Sequence, residues 1–138
     1  MSMQTEKSPV YRSLMEAAVA ARNAAYAPYS GFRVGAALLT TEGRVYTGCN
    51  VENSSFSATN CAERTAIFKA VSEGERSFTA IAIVGGKGDE LMPLCAPCGV
   101  CRQVLAEFAS PDCAVILGTP ADFSVHPLGT LLPFTFER

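Results

Sequence analysis

Three cysteines constrain this chain more than any other feature: Cys61 within Asn60-Cys61-Ala62-Glu63-Arg64, and Cys98 and Cys101 within Pro97-Cys98-Gly99-Val100-Cys101. A fold must bring both stretches to one place before their thiolates can share a metal ion. Structural zinc is closed by four protein ligands, whereas catalytic zinc has three and keeps a position for water. Glu63 stands two residues past the first thiol, so it can lie beside such a metal without binding it, where a base for that water belongs. The pattern is hydrolytic if the ligands are Cys61, Cys98 and Cys101. A rival set exists, because Cys95 makes a second C-x-x-C with Cys98, and Cys61, Cys95, Cys98 and Cys101 together would close a structural site. The proline directly before Cys98 favours the three-ligand register.

The remaining composition narrows the setting. A chain of 138 residues, 49% of them apolar, is one ordinary domain spanning 1–138, with 1–8 expected to fray. A formal charge of -2 offers no cationic surface for a phosphate backbone, so the expected partner is a small molecule and not a nucleic acid. No apolar run approaches the roughly 20 residues that cross a bilayer, and the first residues lack the apolar stretch of a signal peptide. A cytoplasmic, membrane-free protein is expected. In a reducing compartment the six cysteines are ligands or small buried hydrophobes more often than disulfides. Cys49 and Cys113, on apolar strands, are expected to be inert.

Ser8-Pro9 reads as a helix N-cap and first position, and Leu14, Ala17, Ala18, Ala21, Ala24 and Ala25 recur at helical spacing until Pro28. Phe32 to Thr40 and Val45 to Cys49 read as an antiparallel hairpin around Glu42-Gly43. A polar loop from Asn50 to Asn60 leads to a helix capped by Asn60 and ending near Gly74. Ala80 to Val84 is a wholly apolar strand of the kind buried between helical layers, followed by Gly85 to Gly88 as a flexible connection without a phosphate-loop pattern. A helix after Pro97, a strand at Cys113 to Leu117, an edge strand at Phe123 to His126 and a short turn of helix at Leu128 to Leu132 complete the chain. The order predicts an α/β fold, a three-layer α-β-α sandwich with a mixed five-stranded sheet. Both cysteine stretches then open helices at one end of the sheet, where the positive helix end lowers thiol pKa and favours metal binding.

The stretches NCAER and PCGVCRQ, with Asn50-Val51-Glu52-Asn53 upstream, resemble those of the short-chain, homotetrameric, zinc-dependent cytidine deaminases, from about Tyr26 to Pro133. The resemblance implies one zinc per chain and hydrolytic deamination of cytidine and deoxycytidine at C4 in pyrimidine salvage. The nucleophile would be zinc-activated water, with Glu63 shuttling protons. It further implies that the Ala62 N–H holds the pyrimidine O2, that Asn50 and Glu52 bind ribose hydroxyls, and that Phe32 lines the nucleoside pocket. Arg64 would donate to the ligand sulfurs and Gln103 would help to orient the site. A carboxylate at Glu52 would repel a nucleotide phosphate, so free nucleosides are the expected substrates.

Blander readings accompany the sharp ones. Asn60-x-x-Glu63 is also a capping box, Phe32 could be core, and His126, the one histidine, stands far from the motifs. Phe134 and Phe136 would pack either in a pocket of the chain or across a subunit interface, and the resemblance favours the second. The rivals to the nucleoside reading are a deaminase of another aminopyrimidine, such as blasticidin S, and a non-catalytic structural zinc module.

Overall fold

The computed structural model describes residues 3–137, and the sheet at its centre follows from the alternation of two sizes of apolar side chain. Helix α1 (Met3–Arg22) precedes the hairpin β1 (Phe32–Thr40) and β2 (Val45–Cys49); a short 3-10 turn (Phe56–Ala58) leads to α2 (Ala62–Ser72). Then come β3 (Phe78–Lys87), α3 (Gly99–Phe108), β4 (Ala109–Thr119), β5 (Asp122–Pro127) and α4 (Leu128–Leu131). The five strands lie in the order β2-β1-β3-β4-β5, with β3 and β4 parallel and the other neighbours antiparallel.

Side chains of a strand alternate between faces, and here the faces differ in bulk. Ala37, Ala80, Ala82 and Val84 face α1 and meet Tyr11, Leu14, Met15 and Ala18. Leu38, Ile81, Ile83, Val115 and Leu117 face the other way, against Ala66, Ile67 and Ala70 of α2 and Leu105 of α3. Small residues let α1 sit close: a Cβ added to Gly35 would fall 2.0 Å from the Ala18 carbonyl oxygen. One helix below and two helices with α4 above make the three layers that the sequence predicts.

The predicted spans of β1 and β2 are reproduced, but four local expectations are corrected. Helix α1 begins at Met3, ahead of the Ser8-Pro9 cap, so 3–8 are helical; Pro9 is exposed, which leaves water free to take the carbonyl that its missing N–H forgoes. Gly85 and Gly86 belong to β3 and not to a flexible connection. A Cβ at Gly86 would meet the Glu90 carbonyl oxygen at 2.0 Å, so close backbone approach explains the glycine there. Cys61, and not Asn60, is the N-cap of α2, because Asn60 is drawn into a bridge with Val51 and gives its side-chain amide to Thr65 Oγ1. The capping box with Glu63 is therefore not formed. Finally, β4 starts directly after α3, with its register to β3 shifting between Phe78↔Ala109 and Ala80↔Ala114, so that the segment around Pro111 bulges out of the ladder.

Candidate metal centre and substrate cleft

Strand directions explain why the two cysteine stretches converge. Phe32 opens β1 opposite Lys87 at the close of β3, and Cys49 closes β2 opposite Gly35, so three strands deliver their loops to one edge. From that edge the chain enters α2 at Cys61 and α3 at Cys98, each thiol-bearing residue serving as N-cap in extended conformation. The sulfurs of Cys61, Cys98 and Cys101 lie within 4.8 Å of one another, and those of Cys98 and Cys101 are 3.4 Å apart. Tetrahedral zinc–sulfur bonds of about 2.3 Å separate two sulfurs by roughly 3.8 Å, so the trio fits a zinc ion with little movement.

The electrostatics agree with that fit. The Cys61 thiol is held below its ordinary value by the hydrogen bond from Cys101 and by Arg64, whose Nη2 donates to Cys61 Sγ over 3.2 Å, while Cys101 is pushed up as the proton donor of the pair. Cys95 behaves differently. It is not part of the trio, and burial, followed by the charges of Glu63 and Cys61, pushes its thiol up to about 11. Its sulfur packs 2.6 Å from where a Gly85 side chain would begin, within the apolar cluster above the sheet. Among the described residues the ligand set is thus three sulfurs and not four, which is the open form of a zinc site.

Glu63 is buried, 6% exposed, and desolvation raises its carboxyl to about 7, so both protonation states are accessible near neutrality. It lines a cleft of about 240 Å³ together with Phe32, Asn50, Cys61, Ala62, Cys95 and Cys98. Ligand pockets commonly run from about 300 to 1,000 Å³, so this cleft suits a compact molecule. A larger cavity of about 380 Å³, which also uses Phe32, lies along Lys87 to Pro93; it holds no thiol, and the chemistry belongs to the smaller one.

Residues 9–117 match the family model described as the cytidine and deoxycytidylate deaminase zinc-binding region. The chain belongs to this deaminase family. It is 52% identical over 119 residues to a cytidine deaminase of Sporosarcina psychrophila, covering 86% of this chain and 85% of the relative. Among solved structures, the cytidine deaminase of Burkholderia pseudomallei superposes with a TM-score of 0.82 at 52% identity, over 90% of this chain and 97% of that one. A blasticidin-S deaminase of Bacillus cereus is a more distant relative, 31% identical over 109 residues, covering 76% of this chain and 77% of the relative. The family, the five-stranded fold and the zinc-binding character of the thiol trio agree.

Within this deaminase site the remaining predicted residues divide. Phe32, Asn50 and Ala62 reach the cleft. Asn50 also braces it, its Oδ1 accepting from the Val34 N–H and its Nδ2 donating to the Phe32 carbonyl, both at 2.8 Å. Ala62, at the first position of α2, has an N–H without an intrahelical acceptor. Glu52 does not line the cleft. It is buried behind it, where its carboxylate accepts from the Tyr29 and Ser30 N–H groups at 3.0 and 3.1 Å and from the Ser30 hydroxyl, bonds led by the hydroxyl that hold it below the ordinary carboxylate value. Gln103 bonds away from the cleft. Two residues beyond Cys101 on a helix is about 200° around the axis, and Gln103 Nε2 donates instead to the Phe136 carbonyl, 3.3 Å away. His126 bonds Ser124 on the edge strand β5, and Cys113 is core, its thiol raised to about 12 by burial.

Two supports lie outside what the motifs disclose. Ser30 as the holder of Glu52 has no sequence signal beyond lying in a loop. Arg102 donates from Nε to the Pro97 carbonyl, and it does carry a signal: a cation in the first turn of a helix opposes the helix dipole and so invites a reason.

Proposed function

We propose that the chain hydrolyses the 4-amino group of cytidine and deoxycytidine, giving uridine or deoxyuridine and ammonia. The carrying observation is a buried carboxyl, Glu63, poised near neutrality on the wall of a small cleft that also holds three convergent thiols. Zinc held by Cys61, Cys98 and Cys101 would supply Lewis acidity, making water a nucleophile near neutral pH. Glu63 takes one proton of the attacking water and passes it to ring N3 so that C4 becomes electrophilic, then takes the second proton from the new C4 hydroxyl and gives it to the departing amine. One water enters and one ammonia leaves, so the carboxylate ends as it began. The Ala62 N–H receives the pyrimidine O2, and Phe32 packs on the nucleoside. Asn50 borders the ribose end, and the ionised Glu52 buried behind it supplies a fixed negative charge that disfavours a phosphate.

Two further properties belong to this reading. A homotetramer is supported by the exposure of Phe134 and Phe136, too much neighbouring apolar surface to leave in water. A cytoplasmic setting is supported by six unpaired cysteines, and no described helix is long and apolar enough to cross a membrane.

The test is an ultraviolet assay of purified protein offered cytidine, deoxycytidine, cytosine, cytidine monophosphate and blasticidin S, with zinc measured on the same sample. Turnover is expected for the two nucleosides and not for the others, and Glu63→Gln should abolish it while zinc stays bound. Equal turnover of the monophosphate would remove the role of Glu52, and preference for blasticidin S would replace the substrate.

A further inference from the structure

The turn that carries two of the three thiols is fastened from both sides by one residue. The backbone N–H of Arg102 donates to the Cys98 carbonyl at 3.0 Å, as a helix requires. Its side chain reaches back along the helix, and Nε donates to the carbonyl of Pro97 at 2.8 Å. The same guanidinium donates from Nη1 to the carbonyl of Leu131, also at 2.8 Å, at the end of α4. Pro97 and Leu131 are far apart in sequence, and the planar fork of one arginine spans them.

This position needs an explanation, because a cation in the first turn of a helix lies at the unfavourable end of its dipole. Two carbonyl acceptors of opposite sequence origin offset part of that cost. The turn it fastens holds two of the three thiols, Cys98 at the N-cap and Cys101 in the first turn of α3. No carboxylate pairs with Arg102 among the ion pairs of the described residues, so its charge is not spent on a surface salt bridge.

We propose that Arg102 is a positioning residue for the metal centre: by bonding Pro97 and Leu131 at once it locks the Pro97–Cys101 turn against α4, and zinc retention depends on that lock. The inference rests on the zinc site of the proposed function but not on its substrate. Lysine keeps the charge without the fork, and glutamine keeps a donor without the charge, so the two variants separate geometry from electrostatics.

The experiment measures the rate of zinc release from the loaded protein into a chromogenic chelator, beside the thermal midpoint of each protein, with no nucleoside present. Arg102→Gln should release zinc roughly 10- to 100-fold faster, the span typical for lost outer-shell partners of a metal ligand, and Arg102→Lys should fall between it and wild type. Met15→Ala, in the core on the opposite face of the sheet, controls for general loss of stability and should release zinc more slowly than Arg102→Gln at an equal or larger drop in midpoint. A wild-type release rate in Arg102→Gln would overturn the proposal, as would release from Met15→Ala that matches it. Should Arg102→Gln fail to fold, faster release from Arg102→Lys than from the control supports the lock, and equal release overturns it. Failure of the deaminase reading would show in the nucleoside assay and leave these rates untouched.

Discussion

Arg64 donates from Nη2 to the sulfur of Cys61 over 3.2 Å, one helical turn along α2, so a metal ligand and its charge partner are fixed by the same short helix. Three thiolates around a divalent ion carry one excess negative charge, which weakens the metal as a Lewis acid; a guanidinium on one sulfur draws part of that charge away. Arg64→Gln should therefore keep zinc near one per chain but lower kcat for cytidine by roughly 10- to 100-fold, with Arg64→Lys between the two. Steady-state kinetics with zinc analysis decide it. An unchanged kcat in Arg64→Gln would mean that charge on the sulfurs does not control the reaction.

A second charged cluster, away from the cleft, sets the response to acid. Arg44 Nε donates to Glu75 Oε2 at 2.5 Å, the Tyr46 hydroxyl donates to the same oxygen at 3.2 Å, and these bonds, Arg44 first, hold Glu75 below its ordinary value of 4.5. A carboxyl depressed in the folded state adds stability above its unfolded value and loses it as pH falls through the folded one. Denaturant midpoints measured between roughly pH 6 and pH 3.5 should fall less steeply for Glu75→Gln than for wild type, and at the upper end the variant should be the less stable. Zinc release in acid is common to both proteins, so the difference between the curves reports Glu75. Parallel curves would refute the linkage.

Local signals carry most of what is legible in the sequence. The spans of β1 and β2 and the helical homes of Cys61 and Cys101 follow from period and from turn residues, which act over a few neighbours. What stays hidden depends on contacts between distant segments. Gly85 and Gly86 look like a flexible loop until Cys95 and Glu90 are seen pressed against them. Asn60 looks like a cap until Val51 is found pairing with it. Glu52 reads as an open ligand for a sugar, yet Tyr29 and Ser30 have already turned toward it. The thiol trio is legible because metal ligation needs few residue types in few spacings, whereas Ser30 acts from a loop that no spacing announces and Arg102 is signalled only by its charge in the first turn of α3.

Gly48 tests how tightly the sheet sets the site. It lies in β2 beneath α2, and a Cβ there would fall 2.5 Å from the Ala66 nitrogen and 2.6 Å from the Ala62 carbonyl oxygen. Both atoms are helix backbone, so no side chain can swing aside, and α2 itself must lift with Cys61 at its N-cap and Glu63 in its opening turn. Forced overpacking of this kind costs about 1–3 kcal/mol, and a helix displaced by even part of an ångström moves Glu63 relative to the thiols of α3, where misplacement of about 1 Å can cost about 100-fold in rate. Gly48→Ala should thus lose both denaturant stability and kcat, with the rate falling by more than the fraction unfolded explains. Gly99→Ala is the matched control, since its added Cβ meets nothing within 4 Å and alanine favours a helix start over glycine. If Gly48→Ala proves as stable and as active as Gly99→Ala, the contact between β2 and α2 does not hold the catalytic turn in place.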